Sequence, residues 1–304
     1  LLETLMGECC EDPSSKCDSW QKKAGVYRLF VERFPLHPKI PQILRKLVDL
    51  YRENAGDDDA TARQDMLEAI ECLALFRQSG GSGTGVVVAS PVAGSRSNRL
   101  CPDPAVGQRW WEENRDNPEL IQEAEEQAEG ALQDAAAQYH AAAETHQANC
   151  DAGVPDSCIL KDRMFELAIE AYRQLLTEYP SSAFTYDNMF NLGTCYYYLG
   201  RTDEALGQYE TVERSTLATT RQRDALGNQI TILGNNFLAS GQALIPEEPP
   251  SHLEVGADGI ERKIPDPLPL PALIARWQEA MGRWVQRYPD DPESLGYRTR
   301  IAWQ

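Results

Sequence analysis

The chain has 304 residues, and its 29 Lys and Arg against 47 Asp and Glu give a formal net charge of −18. No run of the sequence approaches the roughly 18 apolar residues of a transmembrane helix, which argues against an integral membrane protein. The acidity argues against nucleic-acid binding and against anionic lipid surfaces, because both need clustered Lys and Arg. The composition leaves a protein or peptide partner, or a cationic ligand.

Most of the sequence has the apolar periodicity of amphipathic helices. The predicted helices cover residues 18–34, 39–54, 60–77, 117–148, 159–178, 184–199, 202–214, 218–240, 271–287 and 292–303. The longest begins with Asn117 as N-cap and Pro118 in its first turn. Residues 112–147 hold ten acidic residues and one Arg, a net charge of −9. We expect a solvated helix face there, and the alternative is an acidic docking surface.

Two segments interrupt the helical pattern. Residues 79–111 are predicted to be a flexible Gly/Ser/Pro loop, and residues 246–270 a Pro-rich insertion with a possible hairpin of 253–255 and 260–264. The remaining segments are N-terminal helical repeats at 1–78, a central solenoid with the acidic helix at 112–245, and a C-terminal helical repeat at 271–304. The Trp110-Trp111 pair is expected to anchor the loop to the helices rather than to stack on a ligand.

The eight cysteines form no CxxC pair, so the usual spacing of a zinc site is missing. Several lie beside turn residues, which favours disulfides and therefore an exported protein. The alternative is a set of reduced thiols. Eight cysteines allow 105 connectivities. The pairs we expect are Cys150–Cys158, Cys72–Cys101, and Cys17 with Cys10 or Cys9, which would leave Cys195 near the remaining N-terminal cysteine or in a core.

A repeated pattern organises the sequence. Amphipathic helices end in an aromatic-Pro pair at Phe34-Pro35, Tyr179-Pro180 and Tyr288-Pro289. A spaced small/aromatic pattern follows at Met189, Leu192, Gly193, Tyr196, Ala205, Tyr209 and Val212. With these residues the chain resembles the tetratricopeptide repeat family. In such a repeat Gly193 and Ala205 would let paired helices approach closely, while Tyr196 and Tyr209 fill the gap between hairpins.

The resemblance implies an all-α fold, a solenoid of about five helical hairpins with two long loop insertions. It also implies a non-catalytic scaffold that binds other proteins or peptides. The aromatic-Pro endings resemble those of bacterial envelope repeat proteins, such as the Bam-complex lipoprotein, the Tol-associated periplasmic coordinator and repeat lipoproteins of myxobacterial gliding machinery. A periplasmic or outer-membrane-associated location follows from that likeness.

First helices line the concave groove of such a solenoid. The groove positions expected to bind a partner are Asp187, Phe190, Thr194, Tyr197, Tyr198, Asn228 and Asn235, with Thr231 and Leu238 beside them. A groove of Tyr, Asn and Thr can hydrogen-bond an extended peptide and stack on its side chains. Packing between hairpins is the expectation for Tyr196, and it is an equal alternative for Tyr197 and Tyr198.

Catalytic and metal-binding patterns are missing. His140 and His146 lie six residues apart on different faces of one helix, and the sequence contains neither HExxH nor GxSxG. We expect no enzyme activity, no metal and no cofactor. The expected function is a scaffold in a bacterial envelope assembly. The alternatives are a regulatory repeat domain of a larger enzyme, a subunit of an extracellular surface assembly, and a cytosolic adaptor.

Overall fold

The computed structural model describes residues 19–54, 60–76, 100–101, 103, 105–240, 251–255, 261–265 and 272–302. The helices are α1 Trp20–Arg33, α2 Ile40–Asn54, α3 Ala60–Ala74, α4 Val106–Asn114, α5 Pro118–Asp151, α6 Ser157–Glu178, α7 Thr185–Tyr198, α8 Thr202–Arg214, α9 Gln222–Ser240, α10 Ala272–Arg287 and α11 Pro292–Ala302. The strands are β1 Ser251–Val255 and β2 Glu261–Pro265. The predicted all-α helical-repeat fold is confirmed. Among the described residues no helix is long and apolar enough to cross a bilayer.

The chain divides into two compact units, residues 1–188 and 189–304, and helix α7 contains the boundary. The division into five segments made from the sequence stays a prediction. Unit 1 is built around the 34-residue helix α5, which packs along α6. The side chain of Asn117 accepts a hydrogen bond from the Leu120 N–H at 3.2 Å, so the predicted N-cap is confirmed.

Helix α5 packs through small side chains. Its buried residues are Ala124, Ala128, Ala131, Leu132, Ala135, Ala136, Tyr139 and Ala143. The turn into α6 uses the left-handed backbone at Gly153 and Asp156, with φ of 77° and 62°. A disulfide between Cys150 and Cys158, whose Cα atoms lie 4.8 Å apart, closes this turn.

A second disulfide joins Cys72 of α3 to Cys101, with their Cα atoms 5.5 Å apart. Both disulfides were predicted from the sequence. The expected pairing of Cys17 with Cys10 or Cys9 lies outside the described residues, and Cys195 is buried in α7.

The prediction of a loop over 79–111 is wrong for its last residues, because helix α4 begins at Val106. Trp110 is fully buried, and its indole N–H donates to the His37 carbonyl at 3.0 Å. The indole N–H of Trp111 donates to the Phe76 carbonyl at 2.8 Å. Gly107 lies against the Leu75 backbone, where a Cβ would collide. The tryptophan pair therefore fastens α4 to the preceding helices, as the anchoring interpretation expected.

The three aromatic-Pro connections share one geometry. In each connection the backbone N–H of the aromatic residue donates to the carbonyl four residues earlier. These bonds run from Phe34 to Phe30 at 2.9 Å, from Tyr179 to Leu175 at 2.8 Å and from Tyr288 to Trp284 at 2.8 Å. Three residues further on, His37, Ser182 and Asp291 donate their N–H to the aromatic carbonyl at 2.9, 3.0 and 3.1 Å. Their side chains then accept from the N–H of Lys39, Phe184 and Glu293 at 3.2, 3.1 and 3.0 Å. These bonds satisfy backbone groups that a helix end leaves open, so the next helix begins the same way each time.

In unit 2, helices α9 and α10 pack glycine against tryptophan. A Cβ on Gly227 would lie 3.3 Å from the Trp284 ring, and one on Gly234 would lie 3.1 Å from the Trp277 ring. The two glycines are seven residues apart, and so are the two tryptophans, but the earlier glycine contacts the later tryptophan. The two helices therefore run antiparallel. Helix α9 begins at Gln222, four residues after the predicted start. The predicted hairpin is present as antiparallel β1 and β2, with Leu253 opposite Lys263.

Candidate peptide-binding groove

A concave pocket of about 260 Å³ lies within unit 2. Helix α7 contributes Phe190, Thr194, Tyr197 and Tyr198, whose spacing places them on one helix face. Helix α8 contributes Tyr209, and helix α9 contributes Asn228, Thr231 and Ile232. The pocket therefore combines aromatic faces with hydroxyl and amide groups and has no charged residue in its lining.

Aromatic contacts and one hydroxyl pair order the pocket wall. The Phe190 and Tyr209 rings lie 5.5 Å apart, and the Tyr197 and Tyr198 rings 5.6 Å apart. The hydroxyls of Thr194 and Tyr209 are 3.1 Å apart. These contacts fix the rings before any ligand arrives, which lowers the entropy cost of binding.

Tyr209 lies at the base of the pocket and is 1% exposed. Burial raises its pKa to about 12, although hydrogen bonds from Thr194 and Asn228 act in the opposite direction. The phenol is therefore protonated at neutral pH. The ring of Tyr209 also passes 3.0 Å from the position of a Cβ on Gly193, which confirms the predicted close approach at that glycine.

The structure brings together most of the predicted binding residues. Phe190, Thr194, Tyr197, Tyr198 and Asn228 line the pocket, as does Thr231. Asn235 and Leu238 are exposed further along α9 and are not part of the lining. Asp187 is exposed at the end of unit 1 and does not line the pocket either. Whether these residues bind a partner stays a prediction.

Two lining residues were missed. Tyr209 was assigned only to packing between hairpins, but its ring forms both the hairpin contact and the pocket base. Ile232 follows Asn228 by four positions, a spacing that places both on one face of α9. Tyr196 is 2% exposed, which confirms its packing role, whereas Tyr198 is 39% exposed.

The acidic helix α5 uses part of its charge inside unit 1. Asp134 pairs with Arg45 at 2.8 Å and with Arg52 at 2.5 Å, and Glu123 accepts from the Gln42 amide at 2.7 Å. These contacts bind α5 to α2, so they support a structural role for part of this acidic surface.

Helix α5 contains two histidines, His140 and His146. His140 is mostly buried on α5, and burial lowers its pKa, so the imidazole is neutral at physiological pH. Its Nδ1 lies 3.3 Å from the Tyr172 hydroxyl. In the part of the chain that the structure describes, no group of three or more His, Cys, Asp or Glu is placed to hold a metal ion.

Comparison with known proteins bears on the fold of this region. Residues 157–182 and 187–214 match the family model of the tetratricopeptide repeat. These two ranges cover helix α6, most of α7 and helix α8, and the second of them supplies five of the pocket residues. A comparison with curated proteins and one with solved structures returned no match. The matches support a tetratricopeptide repeat protein, and such repeats generally mediate protein–protein interactions.

Proposed function

We propose that this chain is a non-catalytic scaffold that binds an extended segment of a partner protein in the unit 2 pocket, as part of a bacterial envelope assembly. The observation that carries the proposal is the pocket lining. Phe190, Tyr197 and Tyr198 offer aromatic faces, and Thr194 and Asn228 offer polar groups beside them.

The chemistry of this lining matches a peptide. An Asn amide can both donate to a backbone carbonyl and accept from a backbone N–H. Aromatic rings pack against apolar, proline or aromatic side chains of the segment. The volume of about 260 Å³ is smaller than the roughly 300–1,000 Å³ of typical small-molecule sites. It suits one or two side chains of a longer segment that continues along the surface.

The two disulfides support the exported location. Disulfides persist in oxidising compartments and are rare in the cytosol. A thiol-alkylation experiment on the native host tests this part alone. Digestion without reduction should yield linked Cys150–Cys158 peptides from the envelope fraction, whereas alkylated free thiols in the cytosolic fraction would reject export and leave a cytosolic adaptor.

Peptide selection tests the pocket. Peptides enriched against the full chain should lose affinity when Asn228 becomes Ala, by about tenfold, because a buried peptide group loses its partner. Asn54→Ala is the control, since it removes the same side chain from an exposed helical position in unit 1, outside the pocket. Equal effects of the two changes would reject the pocket.

Salt dependence separates the pocket from the acidic helix. Binding to an uncharged lining should change little between about 50 and 500 mM salt, whereas docking on α5 should weaken as the Debye length shortens. A strongly salt-sensitive affinity that Asn228→Ala leaves unchanged would assign binding to α5 instead.

A further inference from the structure

Two threonines in the lining of the unit 2 pocket donate their hydroxyl protons to their own helices. The Thr194 hydroxyl donates to the Phe190 carbonyl at 3.2 Å, and the Thr231 hydroxyl donates to the Gly227 carbonyl at 3.0 Å. A carbonyl oxygen can only accept, so the direction of both bonds is fixed. Since a hydroxyl has one proton, the oxygens of both threonines are left as hydrogen-bond acceptors.

The Tyr209 hydroxyl continues this chain of hydrogen bonds at the base of the pocket. It lies 3.1 Å from the Thr194 hydroxyl. Because the Thr194 proton is directed to the Phe190 carbonyl, the proton between the two hydroxyls comes from Tyr209. Burial raises the pKa of Tyr209 to about 12, so the phenol carries this proton at neutral pH. The Tyr209 oxygen is therefore left as an acceptor for its next neighbour.

That neighbour is Asn228 on helix α9. Its side chain forms a hydrogen bond with the Tyr209 hydroxyl. Since the Tyr209 proton is directed to Thr194, the bond is donated by the amide nitrogen of Asn228. The amide is then held with its nitrogen toward Tyr209, which leaves its oxygen as an acceptor for a ligand. A helix carbonyl thus sets the orientation of the amide through two hydroxyl groups.

We propose that this orientation makes the pocket selective for a partner segment that donates a backbone N–H to the side-chain oxygen of Asn228. The inference rests on the proposed peptide-binding function and adds the polarity of the group that is bound. Proline is excluded at that point of the segment, because it has no N–H to donate. Tyr209 and Thr194 are positioning residues, since they act on the segment through Asn228.

The surroundings of Asn228 support a neutral donor. Thr231 follows it by three residues on the same face of α9 and presents another acceptor oxygen. The rings of Phe190 and Tyr197 add aromatic faces, whose partial negative charge also favours an N–H. The lining has no carboxylate that could offset the desolvation of an ammonium or guanidinium group. A backbone N–H matches all three features.

Backbone N-methylation of a bound peptide tests the inference. A peptide selected against the full chain is synthesised again with one N-methyl group at each position in turn. We expect one position at which methylation weakens binding by about tenfold, because the Asn228 oxygen is left buried without a donor. In the Asn228→Ala variant methylation at this position should have no effect, whereas the responses at the other positions should persist.

A valine in place of Thr194 gives a readout that a purely structural role would not produce. Thr194→Val keeps the shape of the side chain but removes the acceptor of the Tyr209 proton. That proton then turns to the Asn228 oxygen, the amide reverses, and we expect the sensitive N-methyl position to lose its effect. Thr211→Val on α8 is the matched control, since it removes an equivalent helix-bonded hydroxyl outside the pocket. It should leave the N-methyl pattern unchanged.

The outcomes separate this inference from the proposed function. If Asn228→Ala leaves the affinity of the unmethylated peptide unchanged, the peptide does not use the pocket, and the proposed function and the inference both fail. If Asn228→Ala weakens binding but no N-methyl position depends on Asn228, the peptide uses the pocket and the polarity assigned here is wrong. A sensitive position that persists in folded Thr194→Val would likewise reject the role of Thr194 and Tyr209.

Discussion

Each of the two units holds a carboxylate between two arginines, but at different depths. In unit 1 the Asp134 side chain pairs with Arg45 and Arg52 and is 26% exposed. In unit 2 the Glu213 side chain is 1% exposed and pairs with Arg283 at 3.0 Å and Arg287 at 3.2 Å. The first carboxylate keeps some of its hydration, whereas the second has exchanged nearly all of it for protein partners.

The buried carboxylate of Glu213 also has an amide partner. The side-chain amide of Gln229 donates to Glu213 at 2.9 Å, and Arg283 donates to the side-chain oxygen of the same amide at 3.0 Å. Helices α8, α9 and α10 are thereby joined through one network. A similar arrangement of a carboxylate and two arginines therefore joins helices near the surface of one unit and in the core of the other. The desolvation cost of the carboxylate differs between the two because it depends on burial.

Removal of each carboxylate should show this difference most strongly. Glu213→Ala leaves the buried Gln229 amide and the partly exposed guanidinium groups of Arg283 and Arg287 without their partner, and we expect a loss of about 2–3 kcal/mol in the free energy of unfolding. Asp134→Ala removes a partly exposed pair and should cost about 1 kcal/mol or less. Urea denaturation of the full chain, with hydrogen exchange of peptides from each unit, measures both losses. Similar losses for the two changes would contradict the argument from depth.

The two disulfides of unit 1 should contribute differently to the free energy of unfolding, because they close loops of different length. The cysteines of Cys72–Cys101 are 29 residues apart in sequence and those of Cys150–Cys158 are 8 apart. Chain-entropy arguments give about 3.5 kcal/mol for the longer loop and about 2.5 kcal/mol for the shorter one. Double Cys→Ser variants should show this order in urea denaturation. Hydrogen exchange should confine the loss to unit 1, and an equal loss in unit 2 would argue against this assignment.

Features that depend on residues close in the chain were predicted from the sequence, as was the Cys72–Cys101 disulfide, whereas the Glu213 network was not. The Asn117 cap, the aromatic-Pro helix ends and the Cys150–Cys158 turn each depend on residues close in the chain. The Glu213 network joins residues as far apart in the chain as Glu213 and Arg287, and no local pattern distinguishes Glu213 from the exposed acids around it. The role of Glu213 follows from its burial, which depends on how the helices pack and cannot be deduced from neighbouring residues.

The pocket was predicted in part for the same reason. Helical spacing places Phe190, Thr194, Tyr197 and Tyr198 together from one segment alone. How far the pocket extends along α9 depends on how three helices pack, so the sequence could not show that Asn235 lies outside the lining. The short helix α4 was missed because it follows a Gly/Pro-rich stretch and contains Gly107. Its position is set by the burial of Trp110 rather than by helix propensity.

Glycine substitutions sharpen the comparison within unit 2. Gly234→Ala places a Cβ 3.1 Å from the Trp277 ring, so the ring must shift by a few tenths of an ångström within a packed contact. We expect a loss of about 1–3 kcal/mol from overpacking. Gly207→Ala on α8 meets no atom within 4 Å and should instead gain about 0.5–1 kcal/mol, because alanine favours a helix interior. Thermal denaturation separates the two, and a gain for both would show that α9 and α10 do not require close approach.

The aromatic-Pro connections offer the smallest and most local comparison. Six residues after the aromatic, Thr185 donates its hydroxyl to the Tyr179 carbonyl at 3.1 Å, and Ser294 donates to the Tyr288 carbonyl at 2.5 Å. The first connection has Ile40 at the same place, fully buried. Two connections therefore satisfy the carbonyl with a buried hydroxyl, and the third fills the position with an apolar side chain.

Replacing the buried hydroxyl by an apolar side chain, or the apolar side chain by a hydroxyl, should lower the free energy of unfolding in each case. Thr185→Val keeps the shape but removes a buried hydrogen bond, and Ser294→Ala does the same in unit 2, so each should lose about 1 kcal/mol. Ile40→Thr adds a hydroxyl to a site packed for hydrocarbon and should also lose about 1 kcal/mol or more, since apolar burial is given up. Chemical denaturation of the three variants measures the exchange. If Ile40→Thr were neutral, the new hydroxyl would have found the Phe34 carbonyl, and the three connections would be interchangeable in sequence as well as in backbone.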